Sequence, residues 1–157
     1  MVPDEVDVPQ LARQLKQNGV AYSAPSLESD AQLNANVAEQ LREGDGVAVV
    51  DVSVSKAADA RDIAQELHDA TDLQTVIVQT PRYVSSVSEN YSRADIESAQ
   101  AQLTPGLSQA DLLQQYYAGL EQSSFPMITI VAVVSVLALF FGGLSYWRAS
   151  RHGETRG

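Results

Sequence analysis

The sequence predicts a small mixed-sheet α/β sandwich followed by one C-terminal transmembrane helix. Three observations carry that expectation. Two β-branched apolar runs, GVAVVDVSV at 46–54 and TVIVQT at 75–80, read as strands buried on both faces. Segments whose apolar residues recur with helical period precede, separate and follow them, which is the order of a strand–helix–strand unit covered by helices on both sides. The third run, Met127 to Trp147, has 21 residues without a charged side chain; as a helix it reaches about 30 Å, the thickness of a bilayer's hydrocarbon core.

Taken in order, residues 7–18 fit a first helix, with Val8, Leu11, Ala12 and Leu15 on one stripe, Pro9 in the first turn and Gly19 as the stop. Residues 20–24 read as a short strand ended by Pro25. These two elements make a preface over residues 1–28, ahead of a main domain over 29–122. The main domain opens with a helix at 30–42, which Ser29 or Asp30 can cap and which carries Leu33, Val37 and Leu41 on one face. Gly44 and Gly46 break it before the first buried strand. Ser55 is available to cap the next helix, 57–71, whose Ala60, Ile63, Ala64, Leu67 and Ala70 keep the helical period. Pro81 closes the second buried strand, and residues 83–89 read as an edge strand paired to it through a tight turn. Ser92 with Asp95, and Ser108 with Asp111, are acidic capping boxes that announce two more helices. The second of these bears an apolar stripe of Leu112, Leu113, Tyr116, Tyr117 and Leu120. A joint at 123–126, the span at 127–147 and a basic tail at 148–157 complete the chain.

The span shows no polar stripe, since only Thr129, Ser135 and Ser145 interrupt it before Tyr146. Pro126 suits a first helical turn, and Tyr146 and Trp147 form the aromatic belt of a membrane interface, followed at once by Arg148 and Arg151. Ala138 and Gly142 give a small-xxx-small pattern through which two copies could approach as a weak homodimer. Sidedness is contested by two arguments. Arg148, Arg151 and Arg156 against Asp111 and Glu121 upstream put the tail in the cytoplasm and the domain outside the plasma membrane. Against this, the acidic start MVPDEVDVPQ lacks the basic and apolar regions of a cleavable signal, and a span made last lets the domain fold in the cytosol first. The charge contrast favours the extracytoplasmic domain.

Charge narrows the partners. The chain holds 20 Asp+Glu and 10 Lys+Arg; the tail takes three Arg and one Glu, which leaves 19 acidic and seven basic residues, a net −12, on the rest. Such a surface repels phosphate backbones and anionic headgroups, so nucleic acid is not an expected partner; it favours a basic partner, cations or, most simply, solubility, and the expected partners are the bilayer, through the span, and a protein. Without cysteine there is no disulfide framework, thiolate nucleophile or cysteine-based metal site. His68 and His152 fall on either side of the span and make no pair. No phosphate-binding glycine loop, dinucleotide fingerprint or serine nucleophile elbow occurs.

The remaining candidates for chemistry are carboxylates. Asp59, Asp62, Glu66 and Asp69 share one helix face, which reads more simply as a solvated surface than as a cation site. Asp45, in a glycine turn, and Asp51 flank the first buried strand, and strand ends are where α/β sheets place ligands. They are the candidate ligands for a Ca2+ or Mg2+; a turn-forming Asp is the simpler reading, and no catalytic residue and no required cofactor are assigned.

The order of a long amphipathic helix, a VVDV strand, a helix opening DARDIAQEL, the TVIV strand, a further strand, two helices and an anchor resembles the TPM domain of membrane-anchored bacterial and plastid proteins over residues 30–122. The run DARDIAQELHDATDLQTVIV, 59–78, resembles more closely a family of actinobacterial single-pass membrane proteins, mycobacterial and corynebacterial, with no established activity; that likeness covers residues 5–147. The closer resemblance implies a cell-envelope membrane protein, often encoded near cysteine-type peptidoglycan hydrolases, and the TPM likeness implies a domain that faces outward. Some TPM domains are phosphatases or bind calcium through loop carboxylates. This sequence departs from their pattern, with no Asn-Gly-Val-Leu strand opening and no glycine-rich loop after the last strand, so no TPM catalytic role is carried over. The expectation is therefore a membrane-anchored, non-enzymatic interaction or adaptor module of the cell envelope. The alternatives are a divalent-cation-dependent, TPM-type phosphatase and a structural subunit of a membrane complex.

Overall fold

The computed structural model describes residues 1–104 and 106–123. Residues 1–123 form one compact unit. Its elements run α1 (Val8–Asn18), β1 (Val20–Tyr22), α2 (Pro25–Glu28), α3 (Ala31–Gln40), β2 (Asp45–Val49), α4 (Ala57–Asp69), β3 (Thr75–Gln79), β4 (Val84–Ser88), α5 (Arg93–Ala101) and α6 (Gln109–Ser123).

Local chemistry sets the boundaries. The Asp7 carboxylate accepts from the Gln10 N–H at 2.9 Å and opens α1, and Gly19, at φ 69°, ends it in the left-handed conformation that glycine adopts without steric cost. Asp30 caps α3 by accepting from the Gln32 and Leu33 N–H groups. The capping box of Ser92 and Asp95 opens α5, and at α6 the Ser108 hydroxyl accepts from Asp111 N–H at 3.2 Å while donating to its carboxylate at 2.7 Å. Two expectations fail here. The residue before α4 is Lys56, with no side-chain cap, so Ser55 does not cap it. Pro25 does not merely end a strand; its fixed φ starts the four-residue α2.

The strands lie in sequence order, β1-β2-β3-β4, with β1, β2 and β3 parallel and β4 antiparallel to β3. β1 is bonded to β2 from Val20↔Val47 to Tyr22↔Val49, so the N-terminal preface belongs to the same sheet as the rest. β2 is shorter than the 46–54 run: it begins at Asp45 and ends at Val49, Val50 still donates its N–H to the Gln79 carbonyl of β3 at 2.8 Å, and Val54 is buried beyond the strand. Apolarity at Val52 and Val54 therefore reflects burial in the core shared with α1 and α4 rather than strand pairing.

Alternation divides the sheet residues between two cores. Ala21, Ala48, Val76 and Val78 pack with Leu11 and Leu15 of α1 and with Ile63, Ala64 and Leu67 of α4. Val20, Tyr22, Val47, Val49 and Ile77 pack with Val37 of α3, with Ile96 and Ala99 of α5, and with Leu113, Tyr116 and Leu120 of α6. The result is a three-layer α/β/α sandwich. The β1–β2 and β2–β3 connections step the same way along the sheet, yet α3 and α4 cover opposite faces. They therefore differ in hand, and one of them is left-handed against the usual rule. The carboxyl ends of β1 and β2 are left open between connections that depart to opposite faces.

Among the described residues no helix is long and apolar enough to cross a membrane. The span Met127 to Trp147, the Ala138 and Gly142 pair and the tail arginines Arg148, Arg151 and Arg156 lie outside the described residues.

Candidate functional site

Asp45 and Asp51 occupy opposite ends of β2. Asp45 is the first strand residue rather than a turn residue, and Asp51 lies two residues past the last. Six residues of extended chain separate them by roughly 15 to 20 Å. One cation cannot bridge the pair.

Asp45 is the only buried carboxylate among the described residues, at 7% exposure. Burial alone disfavours its charge and raises its pKa; hydrogen bonds from Thr75 and Tyr117 and the positive charge of Arg42 offset this in part. The Tyr117 hydroxyl donates to Asp45 Oδ2 at 2.9 Å and accepts from the Arg42 backbone N–H at 3.5 Å. Burial and the Asp45 charge push the Tyr117 phenol well above its ordinary pKa, which keeps it a donor. The Arg42 guanidinium lies 4.3 Å over the Tyr117 ring, donates from Nη1 to the Tyr91 hydroxyl at 3.0 Å and from Nη2 to Glu121 at 2.5 Å. One network thus joins the loop before β2, the start of β2, the loop before α5 and the last turns of α6. Next to it, the Tyr116 phenol, pushed up to about 12 chiefly by burial, shares a 2.6 Å hydrogen bond with Ser86 of β4.

Sequence reasoning missed Arg42, Tyr91 and Glu121, and placed Tyr117 only as stripe. Two signals could have found them. A tyrosine on a buried stripe needs a partner for its hydroxyl, and a carboxylate at the start of an all-apolar strand needs donors.

The other end of β2 opens into the crevice that α/β sheets use for ligands. Ser23 accepts from the Asp51 N–H at 2.7 Å, which ties the carboxyl ends of β1 and β2 together. A cleft of about 360 Å³ is lined there by Ser26, Asp51, Gln79, Thr80 and Gln109. Its Gln79 Oε1 is buried and has no hydrogen-bond partner among the described residues. No group of three or more His, Cys, Asp or Glu side chains able to hold a metal occurs among the described residues. Asp59 and Asp62 of the α4 face pair instead with the Met1 ammonium.

The family described as Membrane protein Rv1476 matches residues 1–156. The chain belongs to that family. It is therefore a membrane protein with an α/β fold, in agreement with the apolar run at 127–147. No curated protein and no solved structure matches it. Family membership names no reaction, so the chemistry must be argued from the two ends of β2. At one end Asp45 is satisfied within the fold; at the other Asp51 is exposed beside a single orphan acceptor.

Proposed function

We propose that the chain is a single-pass plasma-membrane protein whose domain, TPM-like in element order and facing outward, works as a non-enzymatic interaction module of the cell envelope. Its role is to hold an acidic α/β surface near the bilayer, where tethering raises the effective concentration of a protein partner without a chemical step. A cell-wall hydrolase is the partner class that the family resemblance suggests. The observation that carries this reading is the employment of Asp45: the one buried carboxylate among the described residues is bound by Tyr117 and Thr75 and serves packing, not a substrate. A second reading, a cation-dependent hydrolase, is favoured only by Asp51 and the unpaired Gln79 oxygen lining one crevice.

The test uses full-length protein in its own membranes, with photo-crosslinking side chains placed one at a time on the exposed faces of α4 and α5. The expected result is a discrete adduct from a contiguous set of positions, lost when the protein is released from the membrane. Divalent-cation-dependent cleavage of a phosphate ester, abolished by Asp51→Asn, would replace the module reading with the hydrolase. Compartment-specific reporters at the N-terminus test sidedness separately; fluorescence of a cytosol-only reporter there puts the domain inside.

A further inference from the structure

At the sheet edge formed by β1, a cleft of about 450 Å³ lies between α1 and α3. Its size is that of small-molecule sites. Two polar groups in it lack partners. Tyr22 is 2% exposed, yet its hydroxyl makes no hydrogen bond among the described residues; the Gln14 Nε2 amide is buried and likewise unpaired among them. The orientation of that amide is fixed, because Gln14 Oε1 accepts from the Tyr22 backbone N–H at 2.7 Å. Only its donor remains for a ligand. Buried polar groups are almost always satisfied, so two orphans lining one cleft point to an occupant.

The lining selects the chemistry. Ala31, Ala35 and Ala38 recur along α3 and give the cleft a wall of methyl groups. Glu28 is the one acidic or basic side chain in the lining, and with a domain of strongly negative charge it disfavours an anion. A cation would find no cage of carboxylates. What suits a fixed amide donor beside a phenol that both donates and accepts is a ligand with neighbouring hydroxyls, and what suits a methyl wall is the C–H face of a ring.

We infer that this cleft binds a neutral saccharide, one hydroxyl oxygen accepting from Gln14 Nε2 and a neighbouring hydroxyl pairing with Tyr22. The inference does not depend on the tethering role. It assigns the β1 edge a ligand site separate from both ends of β2. Burial raises the Tyr22 pKa, so its phenol stays protonated and available as a donor.

The test is a titration of full-length, isotope-labelled protein in detergent micelles with glucose, N-acetylglucosamine and trehalose, followed by NMR through the Gln14 side-chain amide signals. A saturable shift with at least one sugar is expected. Tyr22→Phe keeps the ring and should weaken that sugar at least about tenfold, the loss of one hydrogen bond at a buried group. Ala35→Trp, at an exposed position on the wall, should abolish the shift while leaving signals of the opposite core unchanged. No saturable shift with any of the three sugars overturns the inference, as does equal affinity in Tyr22→Phe. A stronger response of the same signals to acetamide reassigns the cleft to amide ligands and overturns it too.

Discussion

Removing the Tyr117 hydroxyl with Tyr117→Phe leaves the ring, and hence the stacking with Arg42, in place. It takes one donor from the buried Asp45 carboxylate and one acceptor from the Arg42 N–H. A hydrogen bond to a charged group contributes about 1.5 to 3 kcal/mol, and the 3.5 Å contact to Arg42 N–H adds little, so a loss of about 2 kcal/mol is expected at neutral pH. The assay is urea unfolding of the full-length protein in mild detergent, followed by far-UV circular dichroism. Trp147 fluorescence would report on residues outside the domain. A double-mutant cycle with Asp45→Asn decides whether the hydroxyl acts through the carboxylate, in which case the two losses fall short of additive by about 1 kcal/mol or more. Acidification supplies a second check, because protonated Asp45 makes only a neutral hydrogen bond, and the cost of Tyr117→Phe should fall to about 1 kcal/mol. A loss under about 0.5 kcal/mol, additive with Asp45→Asn and unchanged by pH, would refute the network as a stabilising unit.

Four further outcomes are expected. The Asp45 pKa is raised in the folded protein, so its contribution is present below the carboxylate's ordinary pKa and is lost as pH rises through the folded value; Asp45→Asn should therefore gain on the wild type between pH 3 and pH 7 in the same unfolding assay. At the α5–α6 crossing a methyl on Gly119 would lie 2.9 Å from the Ala99 Cα, and Gly119→Ala should lower stability by about 1 to 3 kcal/mol, measured by the shift in urea midpoint. Asp51 is exposed and its carboxylate has no partner among the described residues, so Asp51→Asn should change stability by less than about 0.5 kcal/mol and leave the membrane fraction unaltered. Leu137→Arg puts a charge at the centre of the 127–147 run, a cost of about 3 kcal/mol for insertion, and should move a measurable share of the protein into the alkaline carbonate supernatant.

The sequence made the sheet strands and most helix starts legible because each is fixed locally. The Gly19 stop, the Asp30 cap and the two serine-led caps lie within three residues of what they cap, and the short β-branched run TVIV buries its three apolar side chains readily as a central strand. Edge pairing of 84–88 with 75–79 also followed from adjacency and a tight turn. What escaped reading depends on residues distant in the chain. Val52 and Val54 look like strand because burial in the core shared with α1 and α4 demands the same residue types as a ladder does. The membership of β1 in the sheet rests on pairing with β2, some 27 residues away, and three residues are too few to advertise it. Arg42 and Tyr117, 75 residues apart, carry no local sign of meeting.

The fate of Asp45 and Asp51 turns on the same distinction. In sequence they bracket one strand and look like a pair; in the fold a strand's length keeps them apart and gives each a different solvent. Asp45 enters the ladder, loses water and must be matched by Thr75, Tyr117 and Arg42, which commits its carboxylate to holding α6 on the sheet. That commitment has a consequence at the end of the domain, because Glu121, the outer partner of Arg42, stands six residues ahead of Met127 in the chain. The polar network around Asp45 therefore fastens the last turns of the domain. Under the proposed reading an interaction module has a use for a firmly held terminal helix, whereas the hydrolase reading has to draw its carboxylate from Asp51, at the far end of β2 from this network.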